Sequence, residues 1–544
     1  MIIFYFFLII LLASILGYSY LLKFLFSAKI DVHYKFLYPN DLINGIFLII
    51  SLLLFLHFFF PIKYLLFIIP LGFFIFIICF FKKLIKIDFI KSKLLIIFIL
   101  IFISASNGPL YDTQLYHHQI LNWNYNYKIS LNLFLIEDRF GMVSPWHLFL
   151  SLGNFKISNS YIANLFNFIP LLILLFENLY AFKDKLKISN LFLILSTLFI
   201  LTYGLIHPFQ NGAMLMSLGS LGTDLAGLIF YLLSFYYFFK TIETKKLQFY
   251  YLNLICVVLV IFCRLSYLPL IFLPLILIFN KKIFLQTLRF NFFIIFIFIL
   301  WMVRSFLNNG CLIFPIAHTC FDFFSNNTFT EVKDYSYVVK SFARTAPEYV
   351  GFMNLDYSIF SYKWLMPWLQ SYFLKSSLSQ ISFIISFIAL PFFIYSFIFK
   401  NKDMHIKFFC LFIFIINFIL WLEAPDLRFA FGLFVSFPVF LIIYSLSKNF
   451  NFFFKNVKSV FFVLLLLIVL KNFKNINYMD TSGYLIRNYN YDKFKVIKKI
   501  ENFTIKKNYS NGAFCYDIGE ICIINDNINF NLSKNNFGYI RFFE

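Results

Sequence analysis

Apolar runs of membrane-crossing length recur along the whole of this sequence. Of its 544 residues, 61% are hydrophobic and 13% are charged, whereas about a quarter of the residues of a soluble domain are charged. A helix needs about 20 apolar residues to cross a hydrocarbon layer of about 30 Å. The sequence therefore predicts an all-α polytopic membrane protein with about fourteen transmembrane helices. The predicted spans are 2–22, 42–60, 64–81, 91–106, 160–182, 189–206, 222–239, 249–263, 265–279, 287–303, 377–399, 406–422, 427–447 and 459–472.

Two parts of this list have a second interpretation. Residues 249–279 barely make two crossings, so they could also form one bent element. The run that begins at Met1 has no basic segment before it and no small-residue cleavage site after it. We therefore interpret it as a first span rather than as a cleaved signal.

The distribution of lysine and arginine predicts the orientation of the spans. If residues 82–93 are placed in the cytoplasm and the spans alternate from there, the short cytoplasmic loops hold 23 basic residues and the short outer loops hold six. Basic residues concentrate in cytoplasmic loops, so the asymmetry favours this orientation. It predicts that both termini lie on the extracytoplasmic side.

Three segments on the predicted outer side are longer than ordinary loops, and they divide the chain. The tail contains alternating stretches such as KVIKKI, which predict a small α+β module. The predicted parts are an N-terminal four-helix membrane segment at 1–106, a first outer loop at 107–159, central membrane helices at 160–303, a second outer loop at 304–376, C-terminal membrane helices at 377–472 and the outer tail module at 473–544.

The cysteines outside the predicted spans form two close pairs. Cys311 and Cys320 lie in the second outer loop, and Cys515 and Cys522 lie in the tail. Both pairs fall on the predicted oxidising side of the membrane, where disulfides form and persist. We expect two disulfides and no metal site, because His318 is the only nitrogen ligand near either pair.

Charged residues recur where the predicted spans reach the outer side. Ionisable groups at membrane depth usually face a cavity or a charged partner. Three carboxylates and three arginines at one level therefore predict a shared cavity. The groups are Asp112, Asp224, Arg264, Arg304, Asp426 and Arg428, with Glu423 beside them; the nearby polar and aromatic residues Tyr111, Tyr116, His117, His118 and Arg139 are candidate substrate-binding residues.

Each of these residues also has a purely structural interpretation. Asp224 could cap the helix that it begins, and Arg428 could simply pair with Asp426. Arg304 could reach the lipid headgroups. His117 and His118 lie on a predicted amphipathic helix, where one of them could be a solvated surface residue.

A carboxylate beside arginines at the membrane surface suits a lipid-phosphate substrate. The carboxylate can act as a general base toward a hydroxyl, and a guanidinium can hold a phosphate through two hydrogen bonds. Asp112 is the candidate base. The net charge of +21 could indicate nucleic acid, but the lysines lie in short clusters between apolar runs. We therefore expect membrane lipids and a lipid-linked sugar donor as partners, and no nucleic acid.

Several short blocks resemble the GT-C superfamily of polytopic glycosyltransferases, which use polyprenyl-phosphate sugars. More narrowly, the chain is similar to a bacterial family of multi-pass membrane proteins assigned to that superfamily. The resemblance covers roughly residues 100–544. Its blocks are YDTQLYHHQILNW at 111–123, DRFGMVSPW at 138–146, SLGTD at 220–224, WMVRSFLNNGCLIFPIAHTC at 301–320, WLEAPDLRFAFG at 421–432, and CYDIGEIC and FGYIRFF in the tail.

The resemblance implies a catalytic carboxylate in the first large outer loop, here Asp112, and a juxtamembrane helix at about 112–127 lying on the bilayer. The chain departs from the simpler GT-C layout because this loop follows the fourth predicted span instead of the first. Many GT-C enzymes also carry paired acids at the start of the loop. Here Asp112 stands alone, and Glu137 or Asp138 could supply the second acid. Use of a divalent cation stays open.

Three functions remain in competition at this stage. The first is a glycosyltransferase that moves a sugar from a lipid-phosphate donor to an envelope acceptor. The second is a transporter or flippase for a lipid-linked saccharide, although transporters place their charges near the membrane midplane. The third is an envelope polysaccharide polymerase or ligase, whose usual signature is arginines without an essential acid. The sequence leaves the sugar, the lipid, the acceptor and the oligomeric state open.

Overall fold

The computed structural model describes most of the chain. The described ranges are 2–26, 34–35, 37–82, 84–86, 90–106, 112–157, 160–184, 187–206, 220–279, 281–322, 328–349, 359–374, 376–399, 404–446 and 450–473, together with five strands in the tail.

Helices make up the membrane part of the protein, and each of the fourteen predicted apolar runs coincides with helical structure. The helices are α1 Ile2–Phe26, α2 Pro39–Leu56, α3 Ile68–Phe81, α4 Ile90–Ser106, α5 His118–Asn126, α6 Pro145–Ser151, α7 Ala163–Asn167, α8 Ile169–Ala181, α9 Ile188–Ile206, α10 Asp224–Thr244, α11 Leu247–Cys263, α12 Phe272–Ile278, α13 Lys281–Asn309, α14 Thr328–Tyr349, α15 Leu365–Trp368, α16 Ser377–Phe399, α17 Met404–Glu423, α18 Phe431–Leu446 and α19 Phe450–Phe473.

The described residues include nine helices that are long and apolar enough to cross a membrane, and three shorter apolar helices. The protein is therefore an integral membrane protein with a helical, polytopic fold. Residues 247–278, which could have formed one bent element, instead divide into α11 and a second helical stretch at 265–278. Arg264 lies between the two in an extended conformation, with φ −151° and ψ 121°, and the two stretches pack against each other.

The bundle has a buried centre and an exposed periphery. In the centre, 94% of the Ala163–Ala181 stretch and 89% of the Asp224–Thr244 stretch are buried inside the protein. At the periphery only 22% of an 18-residue part of Ser377–Ile398 is buried, and its exposed side chains beyond Gln380 are overwhelmingly apolar. A helix that is apolar on all sides is stable only against protein or lipid, so α16 presents a face to the hydrocarbon.

Three glycines let the first three helices approach closely. A Cβ atom on Gly17 of α1 would lie 2.0 Å from the backbone oxygen of Gly72 in α3. A Cβ atom on Gly45 of α2 would lie 1.9 Å from the backbone oxygen of Ile15 in α1. Small residues at helix crossings permit this backbone contact in membranes, so the N-terminal helices form a tightly packed unit.

Short strands occur outside the helical bundle. β1 (Tyr34–Lys35) pairs with β2 (Ile85–Lys86) in parallel, and β3 (Lys156–Ile157) pairs with β4 (Ser160–Tyr161) antiparallel. In the tail, β5 to β7 form a three-stranded sheet in the order β5-β6-β7, and β8 pairs with β9. These tail strands are Phe494–Ile500, Phe503–Asn508, Ile521–Cys522, Asn531–Lys534 and Ile540–Phe543. The described residues of the tail therefore contain the strands of the expected α+β module, and none of these described residues is helical.

The second outer loop contains a disulfide, as predicted. Cys311 and Cys320 are bonded and form an isolated antiparallel bridge just after α13. Asn309 supports the turn, because its side-chain oxygen accepts a hydrogen bond from the backbone nitrogen of Cys311 at 2.8 Å. The second predicted disulfide cannot be compared with the structure, because Cys515 lies outside the described residues.

Candidate functional site

Asp112 lies at the start of a helical segment and forms an ion pair with a residue more than 300 positions away. A π-helical turn, Thr113–His117, follows it and continues into α5. Arg428 donates from Nη1 to the Oδ2 atom of Asp112 at 2.8 Å, and each side chain is 26% exposed. The first outer loop and the turn between α17 and α18 therefore meet at this pair.

Arg428 is held at the same time by a second carboxylate. Its Nε and Nη2 atoms donate to Oδ2 of Asp426 at 3.2 and 3.1 Å. The other oxygen of Asp426 accepts the backbone N–H of Arg428 at 2.9 Å and so caps the 3₁₀ turn Leu427–Ala430. Because a carboxylate that accepts several hydrogen bonds is firmly placed, Asp426 fixes the direction of the guanidinium.

A second arginine–aspartate pair lies beside the first. Arg264 donates to Asp224 at the start of α10, and its guanidinium carbon lies 4.7 Å from the centre of the Phe429 ring. Thr223 occupies the N-cap position of α10, so the capping interpretation of Asp224 is wrong. Burial lowers the pKa of Arg264, Tyr116 raises it and the neighbouring Arg428 lowers it, which places the two pairs within electrostatic reach of each other. We call Asp112, Asp224, Arg264, Asp426 and Arg428 the Asp112 cluster.

Aromatic and basic residues form one wall of this cluster. The guanidinium carbon of Arg139 lies 5.5 Å from the centre of the Tyr116 ring, and its Nε atom lies 3.8 Å from Glu137. The rings of Tyr116 and His117 are 4.2 Å apart. Tyr116 has a raised pKa, chiefly through burial and then through Asp112, so it stays protonated and can donate a hydrogen bond.

The interpretation of one histidine as a solvated surface residue is wrong, because His117 and His118 are 6% and 2% exposed. The pKa of His117 is lowered to about 3, first by burial and then by Arg264, Arg428 and Arg139. A group with this pKa is a neutral imidazole at physiological pH. The Nδ1 atom of His118 lies 3.4 Å from the Nδ2 atom of Asn122, one turn further along α5.

Hydrogen bonds tie the segment that contains Asp112 to the segment that contains Asp224. The hydroxyl groups of Thr113 and Ser220 are 2.5 Å apart, and the backbone nitrogen of Leu221 donates to Thr113 at 3.0 Å. Asn167 donates to the backbone oxygens of Ser220 and Gly222 at 2.8 and 3.0 Å. These contacts fix the relative positions of two acids that are far apart in the sequence.

Arg304, the third predicted arginine, contacts a different set of side chains from Arg264 and Arg428. Its Nη1 atom contacts Nδ1 of His57 at 2.9 Å, and its Nη2 atom donates to Oδ1 of Asn124 at 2.9 Å. Asn124 lies in α5, in the same helical segment that begins beside Asp112. We call Arg304, His57 and Asn124 the Arg304 cluster.

The hydrogen bonds of His57 fix its tautomer. Its Nε2 atom lies 3.0 Å from the backbone oxygen of Asn124 and 3.1 Å from that of Tyr127. Carbonyl oxygens only accept, so Nε2 is the protonated nitrogen and Nδ1 accepts from Arg304. Arg304 is 5% exposed, and its contacts with the described residues are to neutral acceptors. The Arg304 cluster thus joins α13, the end of α2 and α5.

Some residues of the site were not predicted from the sequence. Tyr335 of α14 is 8% exposed; its pKa is raised by burial, lowered by Arg139, and raised further by Asp138, Glu137 and Asp112. No sequence pattern marks Tyr335. Asn167 could have been found, because it is a polar residue inside an apolar run. The predicted site residue Tyr111 lies outside the described residues.

The Asp112 cluster contains three carboxylates and two guanidinium groups, and the guanidinium groups are its candidate anion-binding groups. Within the described ranges, no group of three or more histidine, cysteine, aspartate or glutamate residues could hold a metal ion. The two guanidinium groups, by contrast, lie at helix ends, and the Asp112–Arg428 pair is partly open to solvent. An entering phosphate could therefore exchange with a carboxylate at Arg428.

Comparison with known proteins yields one match. The profile of the family described as Domain of unknown function (DUF8201) matches residues 1–435, which include the whole Asp112 cluster and the Arg304 cluster. No curated protein and no solved structure matches the chain. Because the matched region covers well over half of the 544 residues, the chain belongs to the family described as Domain of unknown function (DUF8201).

Proposed function

We propose that this protein is a GT-C-type glycosyltransferase of the bacterial inner membrane. It transfers a sugar from a lipid-phosphate donor to an envelope acceptor on the extracytoplasmic face, and about fourteen spans hold both termini on that side. The observation that carries the proposal is the position of Arg428, which lies between Asp112 and Asp426 at the end of a membrane helix. A guanidinium held in this way presents a charge to a headgroup at the membrane surface.

Donor binding would begin with an exchange of anions at Arg428. In the free protein this arginine uses Nη1 for Asp112 and uses Nε and Nη2 for Asp426. A donor phosphate would displace the partly exposed Asp112 more readily than Asp426, whose side chain is 6% exposed. Arg428 would then hold the phosphate, while Asp426 keeps the guanidinium in place.

The same exchange would release the base. Freed from Arg428, the Asp112 carboxylate accepts the proton of the acceptor hydroxyl. The hydroxyl oxygen forms a bond to the anomeric carbon as the bond from that carbon to the phosphate oxygen breaks. The electron pair of the broken bond leaves with the lipid phosphate, whose charge Arg428 and Arg264 stabilise. The sugar is transferred with inversion.

The experiment separates binding from transfer. The purified protein in nanodiscs is heated with polyprenyl phosphate or with polyprenol, which lacks the phosphate. We expect polyprenyl phosphate to raise the melting temperature and polyprenol to have a much smaller effect. Arg428→Gln should abolish the difference, whereas Asp112→Asn should preserve or increase it, because an amide competes less well for Arg428 than a carboxylate.

Transfer is then measured as envelope glycan in cells that carry each variant. Removal of a general base typically costs 10² to 10⁴ in rate, so we expect Asp112→Asn to lower transfer by at least about 100-fold at normal protein levels. A variant that binds polyprenyl phosphate and still transfers at the parental rate would overturn the role of Asp112 and favour a polymerase or ligase. If polyprenyl phosphate and polyprenol stabilised the parent protein equally, the proposal that the donor is a lipid phosphate would be overturned.

A further inference from the structure

Residues 359–374 connect α14 to α16, and one face of this segment is anchored firmly to the protein. Trp364 and Trp368 are 6% and 4% exposed. The guanidinium carbon of Arg344 lies 4.8 Å from the centre of the Trp364 ring. Trp368 donates its indole N–H to the backbone oxygen of Pro425 at 3.3 Å. The two tryptophans therefore fix the segment to α14 and to the turn that holds Asp426.

The opposite face of the segment exposes large apolar side chains. Phe360, Tyr362, Leu365 and Met366 are 67%, 88%, 41% and 62% exposed. Four such residues within seven positions form an apolar patch, and an apolar patch exposed on a protein marks an interaction surface. The tryptophan anchors hold the backbone in place, so this face cannot turn inward without breaking their contacts.

The apolar face continues into a surface that contacts lipid. α16 begins at Ser377, three residues after the segment ends, and it exposes Phe383, Ile384 and Phe387 on the periphery of the bundle. Because Trp368 contacts Pro425, just beyond the end of α17, the segment lies at the level where the membrane helices end. Aromatic residues with a lysine among them, here Lys363, are typical of the membrane–water interface.

We propose that residues 359–374 form an interfacial platform inserted into the leaflet on the side of the Asp112 cluster, with lipid as its partner. The assignment is independent of the proposed transfer reaction. The platform holds the turn 424–428 at a constant height relative to the lipid headgroups. It would thereby set the depth at which Arg428 meets any ligand that arrives from the bilayer.

Fluorescence quenching measures the position of this face. Met366→Cys is labelled with an environment-sensitive dye in the full-length protein in nanodiscs, with the unmodified chain as the background for other cysteines. We expect blue-shifted emission, strong quenching by lipids that carry a nitroxide near the headgroup, and at least several-fold weaker quenching by iodide than at an aqueous site. Tyr362→Cys repeats the measurement on the same face.

Asp334→Cys on α14 is the matched aqueous control, because Asp334 is exposed in the same outer loop. Its label should be quenched by iodide and little by the lipid nitroxide. Iodide quenching at 366 and 362 equal to that at 334 would show that the face is in water and would overturn the proposal. Protection from both quenchers would overturn it as well, because another part of the protein would then cover the face.

Discussion

At the scale of single residues, the outer ends of the helices hold two different kinds of arginine site. Arg428 is placed between two carboxylates and is partly exposed, so it can exchange partners. Arg304 is buried against the neutral side chains of His57 and Asn124. A buried cation is costly without a paired anion. Loss of either hydrogen-bond partner of Arg304 should therefore destabilise the folded protein strongly.

A carboxylate placed opposite Arg304 should stabilise the Arg304 cluster. We expect Asn124→Asp to raise the melting temperature, because it would give the guanidinium an anionic partner at a contact that is now 2.9 Å long. Asn124→Leu, of similar volume, should lower the free energy of unfolding by about 1 to 3 kcal/mol, because it leaves a buried donor unpaired. Thermal unfolding in one detergent compares the two, and equal destabilisation by both would contradict the expectation.

His117 should make stability depend on pH. Its pKa is about 3 in the folded protein and about 6.5 when unfolded, so the unfolded state binds the proton first as the pH falls. This contribution is complete above about pH 6.5 and is lost between there and about pH 3. Between pH 7 and pH 5 the loss is about 2 kcal/mol.

Comparison with His117→Asn isolates this contribution from those of other groups. The charged and titratable neighbours of His117 are Arg264, Arg428, Arg139 and His147, and His147 also has a lowered pKa, chiefly through burial. His147→Asn is therefore measured beside it, to show how much of the pH dependence belongs to the neighbouring histidine. The melting temperature of His117→Asn should fall less between pH 7 and pH 5 than that of the parent; an identical fall would refute the assignment.

At the scale of elements, close backbone contact and buried polar pairs hold the helices together. α8 and α10 form one such pair: Tyr236 donates to Glu177 Oε1 at 2.7 Å, and the Nζ atom of Lys240 lies 3.4 Å from the same oxygen. Removal of one member of a buried ion pair typically costs 3 to 5 kcal/mol, whereas replacement of both by apolar groups is often tolerated.

A double-mutant cycle tests this pair. We expect Glu177→Leu and Lys240→Met each to lower the melting temperature strongly, and we expect the double variant to be more stable than either single variant. The reason is that each single change leaves an isolated charge, and the double change leaves none. Strictly additive losses, measured by thermal unfolding, would mean that the two side chains do not act as a pair.

The stability of the crossing between α1 and α2 should depend on the size of the side chain at position 45. We expect Gly45→Leu to destabilise the protein by about 1 to 3 kcal/mol or more, because even a Cβ atom there would lie 1.9 Å from the Ile15 oxygen. Gly227→Ala is the control, because a Cβ atom at that position would lie at an ordinary contact distance of 3.5 Å from its nearest neighbour, the Cγ atom of Arg264. Comparable losses for both variants in a thermal unfolding assay would contradict this account of the crossing.

At the scale of the whole molecule, the sequence predicted the helical elements better than their contacts. Apolar runs located the apolar helices because length and hydropathy are local properties, but they did not predict α14, which lies outside every such run. Ion-pair partners depend on tertiary packing. The sequence therefore predicted that Asp112 and Arg428 lie near each other, but not that they form an ion pair, and it did not predict that His57 and Asn124 hold Arg304. Tyr335 was missed because its role depends on how α14 packs against the first outer loop.

Orientation across the membrane remains a prediction that labelling can check. The excess of basic residues in one set of loops places the tail outside. We expect a cysteine at Gly512→Cys to react with an impermeant maleimide added to intact spheroplasts, with the chain lacking this substitution as the background. Labelling only after the membrane is permeabilised would reverse the orientation and, with it, the side on which the Asp112 cluster opens.

α10 begins with Asp224, and Lys240 follows sixteen residues later, about 24 Å along the helix axis. One almost wholly buried helix thus has one end in the Asp112 cluster and the other in the pair with Glu177. Any displacement of Asp224 at one end of this helix would therefore also act on the Glu177–Lys240 pair at the other end. If the protein spans the bilayer as predicted, a reporter beside Lys240 would therefore test whether occupancy of the Asp112 cluster is sensed on the other side.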